Sequence, residues 1–338
     1  MTGKDRERIA VVGGGSWGTA FAAMLAKRHD DVALWVREPE ICDGIRNQRE
    51  NRVFLPGIPV PTEVRPTTDL GEALAGRGIV AFAVPAQHVR EVARNAGPHL
   101  DPAATVVSLA KGLENGTLLR MTEVLAQALA ASPARIAVLS GPTFAQEVAA
   151  GMPTGATVAS EDPAAGSALQ SAFSGKRFRV YTGTDVIGIE IGGALKNVMA
   201  IAAGMSDGLG FGHNARALLI SRGLAEISRV GIHLGADPQT FYGLSGLGDL
   251  VLTCTGDLSR NRTVGMRVGA GERVADILAR MKMVAEGVTT AQAAFDLSRR
   301  TGVAMPISEQ VHLILHEGKD ARTAVGELFS RALRREKD

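Results

Sequence analysis

The stretch "IAVVGGGSWGTAFAAML", Ile9 to Leu25, constrains this chain more than any other. A β-branched apolar run ends in a glycine-rich turn, and a run of small and apolar helix formers follows. Gly13, Gly15 and Gly18 stand in GxGxxG spacing. In such a turn the first glycine permits the tight bend and the second lets backbone approach a pyrophosphate. The third lets the helix pack closely on the strand. The helix N-terminus then offers free N–H groups and a positive dipole end to phosphate. The expectation is a dinucleotide site inside a doubly wound α/β domain.

The first half of the chain keeps the same alternation. Apolar runs at 32–36, 79–84, 105–110, 135–140 and 154–160 read as parallel strands covered on both faces, separated by helical stretches. After about residue 185 the strand-like runs stop. Long helical patterns rich in Ala and Gly replace them, beginning with "DVIGIEIGGALKNVMAIAAGM". The fold class expected is therefore α/β, with an N-terminal doubly wound Rossmann-type NAD(P)-binding domain over 1–188. A mostly α-helical C-terminal domain for substrate binding and catalysis follows over 189–338. A length of 338 residues suits two cores, and 40 glycines with 4% aromatics suit close packing of small residues.

Bulk charge narrows the partners. A formal net charge of +2 leaves no electrostatic footprint for nucleic acid, and the basic end "RALRREKD" reads as a solvated helix terminus. No apolar run reaches the roughly 18 residues of a membrane span. The charged "MTGKDRER" is no signal peptide. Cys42 and Cys254 are too few for a disulfide framework, so the chain reads as reduced and cytoplasmic.

Candidate binding residues sit where open α/β sheets bind ligands, at the carboxyl ends of strands. The second strand ends in "LWVREPE"; Arg37 there suits the 2′-phosphate of NADP, whereas Glu38 leaves NAD open. Lys111, in "SLAKGLENG", closes the fourth apolar run. In "SGPTFAQE", Gly141 and Thr143 open a helix, with Thr143 and Gln146 in capping-box spacing.

The second half carries the chemistry. Lys196 and Asn197 interrupt the apolar helix "EIGGALKNVMAIAAG". Such a lysine either snorkels to water or faces a polar cavity, where its ammonium can donate a proton while hydride reaches a carbonyl carbon. That use requires a pKa below the ordinary value of about 10.4. The stretch "LSGLGDLVLTCTGDLSRNRTVG" supplies Asp249, Thr253, Ser259, Arg260 and Asn261. The carboxylate can hold a lysine or orient a hydroxyl, and Arg260 has the fork that grips phosphate oxygens. Ser259 and Asn261 add neutral donors. Phosphate is the simplest anion for this loop, with a cofactor 2′-phosphate or an interdomain ion pair still open.

Other constellations are weaker. His312 and His316 lie four apart in "SEQVHLILHEG" without a third ligand, so no metal is assigned. His213 reads as a turn or capping residue, and Cys254, Met281 and Met283 read as packing residues.

Seven blocks occur in one order along the chain: "GGGSWGTAFA", "AKGLE", "SGPTFAQE", "GALKNVMAIAAG", "GLGDLVLTCT", "SRNR" and "VAEGV". In this the sequence resembles bacterial NAD(P)-dependent glycerol-3-phosphate dehydrogenase over essentially its whole length. The resemblance implies cofactor contacts at Ser16, Trp17, Arg37, Ala145, Arg260, Val284 and Glu286, beside the glycines Gly13, Gly15 and Gly18. It implies a lysine shared by cofactor and substrate at Lys111, and substrate contacts at Gly141, Thr143, Asp249, Ser259, Arg260 and Asn261. Lys196 matches the family's proton donor and acceptor. Lys111 would polarise the reacting oxygen or hold the phosphate side, and Asp249 would orient Lys196. The implied cofactor is NADP(H) or NAD(H), the substrate pair glycerol 3-phosphate and dihydroxyacetone phosphate, and the assembly a homodimer. The implied role is supply of the glycerophospholipid backbone. Two other readings remain at this stage. One is a hydroxy-acid dehydrogenase of the 6-phosphogluconate type, against which the "GALKN" and "SRNR" pair weighs. The other is a non-catalytic NAD(P)H sensor, which has no need of Lys196 beside Asn197.

Overall fold

The computed structural model describes residues 8–130, 135–281, 283–333 and 335–336. The charged opening segment and parts of the basic end therefore lie outside the described residues. The strands are β1 (Ile9–Val12), β2 (Val32–Trp35), β3 (Glu50–Asn51), β4 (Leu55–Pro59) and β5 (Val64–Thr67). They continue with β6 (Ile79–Phe82), β7 (Thr105–Ser108), β8 (Arg135–Ser140), β9 (Thr154–Ser160) and β10 (Phe178–Gly183). Eight of them form one sheet in the order β10-β9-β8-β7-β6-β1-β2-β5, while β3 and β4 make a separate hairpin.

The six strands β5-β2-β1-β6-β7-β8 are parallel throughout. Numbered among themselves they run 3-2-1-4-5-6, the doubly wound order with its switch point between β1 and β6. One expectation needs correcting: β9 runs antiparallel to β8, with Ser140 opposite Thr157, and β10 follows β9 in parallel. An apolar run fixes burial on both faces but carries no information on strand direction.

Helices cover both faces of the sheet: α1 (Ser16–Leu25), α2 (Pro39–Gln48), α3 (Leu70–Leu74), α4 (Val89–Ala96), α5 (Met121–Ala128), α6 (Ala145–Ala149) and α7 (Pro163–Phe173). Strand side chains alternate between two cores. Ile9 and Val11 pack with Phe21 and Leu25 of α1 and Leu169 and Phe173 of α7. Ala10 and Val12 pack with Leu74, Val89, Ala93 and Leu125 on the other side.

After β10 the chain is helical: α8 (Val186–Gly208), α9 (His213–His233), α10 (Asp249–Thr255), α11 (Arg260–Gly269), α12 (Val274–Ala279), α13 (Glu286–Thr301), α14 (Pro306–Glu317) and α15 (Ala321–Phe329). By length and mean hydropathy α8 does reach membrane-span proportions, contrary to the expectation above. It is nonetheless a core helix, because 94% of its most apolar window is buried inside the protein. Helices α9, α10, α11, α13 and α14 pack around it, and its own Val198, Met199 and Ile201 belong to a third core.

Small residues set how closely the helices approach. A Cβ on Gly204 of α8 would lie 2.1 Å from the carbonyl oxygen of Arg262 in α11. Reciprocally, a Cβ on Gly265 of α11 would lie 2.0 Å from the carbonyl oxygen of Ile201 in α8. The two backbones therefore touch, and this contact fixes the helix carrying Lys196 against the helix carrying Arg260.

Buried carboxylates tie the two halves together. Glu190 of α8 accepts from Thr122 N and Oγ1 at 2.9 and 2.6 Å and from Arg120 Nη1 at 3.0 Å, anchoring the start of α5.

Candidate active site

The glycine turn follows β1 as the sequence implies. Gly13 has φ 124°, a backbone conformation that side chains disfavour. A Cβ on Gly18 would stand 1.9 Å from the Gly13 carbonyl oxygen, whereas a Cβ on Gly15 would meet nothing within 4 Å. The turn is thus tight against the helix and open towards the outside. Gly15 is the N-cap of α1 and no side chain caps the helix, so the N–H groups of Ser16, Trp17 and Gly18 lack intrahelical acceptors. Asn51, buried, donates to Gly14 O at 2.8 Å and to Thr19 Oγ1 at 2.9 Å, locking the turn from the β3–β4 hairpin. This open cradle of uncapped N–H groups fits a dinucleotide pyrophosphate.

Arg37 lies just past β2 at the mouth of the turn. Its Nε and Nη2 both donate to Glu38 Oε1, at 2.9 and 2.6 Å, and its side chain is 70% exposed. Ala145 is the first residue of α6, which packs against α1. Val284 is half-exposed on the segment leading to α13.

Where the sheet meets the helices a carboxylate bridges two ammonium groups. Lys111, from the loop after β7, donates to Asp249 Oδ2 at 2.7 Å, and Lys196, from the middle of α8, donates to Asp249 Oδ1 at 2.9 Å. A π-helical turn at Leu244–Gly248 delivers Asp249 as the first residue of α10. Lys196 does not snorkel; it is 6% exposed and also donates to Thr253 Oγ1 at 2.7 Å. Burial pushes its pKa down to about 8, against the pull of Asp249, and the charge on Lys111 lowers it further. Burial alone would raise Asp249, but the two lysines together hold its carboxyl below the ordinary range.

Donor counting separates the lysines. An ammonium has three N–H bonds. Lys196 uses two, on Asp249 and Thr253, and keeps one for a substrate oxygen. Lys111 uses all three, on Asp249, on Gly141 O at 2.7 Å and on Thr143 Oγ1 at 3.3 Å. It can reach a substrate only by releasing the long bond to Thr143. The capping expectation at Thr143 is wrong: Phe144 is the N-cap of α6 and makes no side-chain cap bond. The Thr143 hydroxyl instead donates to Gly141 O at 3.0 Å. Thr143 therefore lies one residue before the N-cap.

The arginine loop divides its labour. Ser259 is the N-cap of α11, accepting from Arg262 N at 3.2 Å. Arg262 is a buried structural residue, paired with Asp207 and Asp257, both at 2.9 Å. Arg260 is exposed and makes no hydrogen bond or ion pair among the described residues. A guanidinium without a hydrogen-bond partner on the first turn of a ten-residue helix, beside that helix's own positive end and within the field of Glu286, has the chemistry to take a phosphate. Asn261 is less available than its type implies. Its Nδ2 donates to Asn197 Oδ1 at 2.9 Å and its Oδ1 accepts from Gly287 N at 2.9 Å, leaving one N–H. Asn197 in turn donates to Lys111 O at 3.2 Å. These two amides chain together the loop carrying Lys111 and the helices carrying Lys196, Arg260 and Glu286.

Glu286 opens α13 and accepts from Ala86 N, after β6, at 3.2 Å, while its Oε2 is buried without a partner. Burial pushes this carboxyl up to about 7, opposed by the Ala86 N–H and by Arg260. It lies on the seam between the sheet and the helices, next to the switch point.

Thr253 and Asn197 complete this site without an assigned role from sequence. Thr253 stands four residues after Asp249 on one helix, a spacing that puts both on the same face. The signal for Asn197 is only its place beside Lys196. Of the weaker candidates only Cys254 lies beside the lysine pair, close enough to feel the charges of Lys196 and Asp249. His312 stacks on Phe295 at 4.1 Å between ring centres, His316 bonds Val288 O, and among the described residues no group of three metal-ligating side chains converges. His213 is the exposed first residue of α9, while Met281, half-buried, packs on the helical core. Cys254 is fully buried, its thiol pushed up to about 12 by burial.

Comparison with known proteins adds an independent line. Residues 8–166 match the model of the NAD-dependent glycerol-3-phosphate dehydrogenase N-terminus, and residues 185–326 match that of the C-terminus. A glycerol-3-phosphate dehydrogenase [NAD(P)+] of Geobacter sulfurreducens is 54% identical over 332 residues, covering 98% of this chain and 99% of the relative. One from Myxococcus xanthus is also 54% identical, covering 96% of this chain and 97% of its own. The crystal structure of glycerol-3-phosphate dehydrogenase from Coxiella burnetii superposes with TM-score 0.92 at 39% identity, covering 96% of this chain and 99% of that one. A ketopantoate reductase from Ralstonia eutropha shares only the fold, with TM-score 0.60 at 18% identity.

Proposed function

From the premise that this chain belongs to the NAD-dependent glycerol-3-phosphate dehydrogenase family, we propose that its carboxylate-bridged lysine pair is the catalytic centre. The enzyme interconverts sn-glycerol 3-phosphate and dihydroxyacetone phosphate with NAD(P). The free N–H groups of Ser16, Trp17 and Gly18 would hold NAD(P), which would supply or accept the hydride. The protein handles the proton. In the reductive direction the one uncommitted N–H of Lys196 points its proton to the carbonyl oxygen, which becomes the secondary hydroxyl. In the oxidative direction neutral Lys196 takes that hydroxyl proton back. Asp249 holds Lys196 in place through Oδ1 and Lys111 through Oδ2. Fixing both ammonium groups before substrate arrives removes a reorganisation cost from the transition state. Arg260 holds the substrate phosphate, with Ser259 and the last N–H of Asn261 beside it.

The observation that carries this reading is the convergence of Lys111, Lys196 and Thr253 on Asp249. A snorkelling or structural lysine has no need of a buried carboxylate shared with a second lysine. We place the division of labour where β10 gives way to α8, the sheet side binding cofactor and the helical side binding substrate. Three further readings belong here. Supply of the glycerophospholipid backbone follows from the product, a phosphorylated polyol. A paired assembly with a second copy is supported by the exposed Leu218 and Ile232 on α9. A cytoplasmic location is supported by two free, buried cysteines.

Turnover of dihydroxyacetone phosphate against unphosphorylated dihydroxyacetone tests the assignment, on wild type and on Arg260→Met. The phosphate should be worth at least about 1000-fold in kcat/KM in wild type, most of it lost in the variant. Equal rates for the two ketones would sink the substrate assignment.

A further inference from the structure

A second cluster of charge lies at the amino end of the sheet, away from the strand ends that carry the glycine turn and Lys111. Arg8 precedes β1, Asp31 precedes β2, Arg77 precedes β6 and Arg65 lies on β5. With Thr67 and Glu72 the three arginines line a cavity of about 230 Å³, and the small side chains of Ala33 and Ala73 leave it room. Among the described residues Asp31 is the one carboxylate paired with these arginines. Arg65 Nη2 pairs with its Oδ2, and Arg77 reaches Oδ2 at 3.1 Å and Oδ1 at 3.2 Å. Glu72, on the cavity wall, accepts from Thr67 Oγ1 at 2.5 Å. Arg77 is 5% exposed, and its Nε is buried with no hydrogen-bond partner among the described residues. Arg8 is exposed, and its side chain donates no hydrogen bond among the described residues. It stays close to Arg77, because a Cβ on Gly76 would lie 3.8 Å from Arg8 Nη1. Burial lowers the Arg77 pKa, and the neighbouring charges of Arg65 and Arg8 lower it further, against the pull of Asp31.

One carboxylate does not balance three guanidinium groups. A structural role accounts for Arg77, which also donates to Asp31 O at 3.3 Å and so ties the start of β6 to that of β2. It does not account for Arg65, 64% exposed, or for Arg8. Exposed ion pairs contribute little to stability, and like charges brought together cost it. Most N–H groups of Arg65 and all those of Arg8 lack an acceptor among the described residues, and a buried unmet donor lies beside them. A tetrahedral oxyanion answers both features: planar forks grip its oxygens in pairs, and its charge offsets the surplus. We propose that this cavity is a second oxyanion site, separate from the Arg260 loop, that takes inorganic phosphate or a small soluble phosphomonoester. Arg8 and Arg65 grip the oxygens from the open side, and Arg77 supplies charge from the buried side. Glu72 limits how much negative charge the site tolerates, which favours a single phosphate over a pyrophosphate.

The test is titration calorimetry of inorganic phosphate, with sodium chloride at matched ionic strength as the control. The background is Arg260→Met, so that the guanidinium proposed for the substrate phosphate does not contribute. Phosphate should bind and chloride should not. Arg8→Gln with Arg65→Gln, both at exposed positions, should weaken phosphate by about tenfold or more. The same pair made in the wild-type chain should leave turnover of dihydroxyacetone phosphate unchanged. Asp31→Asn should tighten phosphate about threefold, because it releases two arginines, and misfolding cannot mimic a gain of binding. Phosphate bound equally with and without Arg8 and Arg65 would lie elsewhere, such as on the glycine turn, and would overturn the proposal. Background protein that binds no phosphate, or an Asp31→Asn variant that binds it no more tightly, would overturn it too. Sedimentation with phosphatidic acid vesicles, lost in the double variant, would assign the same chemistry to a lipid headgroup and overturn a soluble ligand.

Discussion

Asp249 illustrates how one side chain acquires a function from its neighbours. Alone and fully buried, it would be driven neutral; between Lys111 and Lys196 it stays charged and sets where both ammonium groups sit. Its charge also raises the Lys196 pKa against burial. Asp249→Asn should therefore lower kcat about 100-fold and move the Lys196 titration below its wild-type value of about 8. A pH profile of kcat/KM in the variant reads both effects; an unmoved titration would mean that the carboxylate is only structural. The residue types at this centre were legible in the sequence, because a lysine in an apolar helix and an arginine in a serine-capped loop both call for an explanation. Their pairing was not legible. Lys196 lies 53 residues from Asp249 and Asn197 lies 86 from Lys111, and no local pattern encodes such contacts.

Elements show the same division. Strands buried on both faces, such as β1 and β6, announce themselves as unbroken apolar runs. The edge strands β5 and β10 do not. Pro66 interrupts β5, tolerable only at an edge, and β10 alternates buried Phe178 and Val180 with exposed Arg179 and Tyr181. The helical half was legible as Ala- and Gly-rich helices, though not which glycines meet. The α8–α11 crossing makes a specific demand. Gly265→Ala puts a methyl group on the Ile201 carbonyl and should destabilise by about 2 kcal/mol, the usual cost of overpacking. Gly326→Ala in α15, where a Cβ meets nothing within 4 Å, should be neutral or slightly stabilising. Urea unfolding compares them, and equal midpoints would show that the crossing can relax.

At the scale of the whole molecule, the site exists only where sheet and helices meet. The sheet contributes Lys111, Gly141 and Thr143 from loops at strand ends, and the helical half contributes Lys196, Asp249 and Arg260. Glu190 and Glu286 stitch the seam from the helical side, accepting from the start of α5 and from Ala86. On the proposed reading the glycine turn takes the cofactor and the arginine loop the substrate phosphate, and Lys196, held by Asp249 and Thr253, is the group offered for the proton. The most direct measurement is the pH dependence of kcat/KM in both directions, on wild type and Lys196→Met. Protonated Lys196 is needed for ketone reduction, so that rate should be level below about 8 and fall above it. Neutral Lys196 is needed for alcohol oxidation, so that rate should rise up to about 8 and then level off. Lys196→Met should lose about 1000-fold in both directions, with the break at that pH gone. A variant that keeps normal turnover, or whose profiles retain the wild-type break, would contradict the assignment of the proton to Lys196.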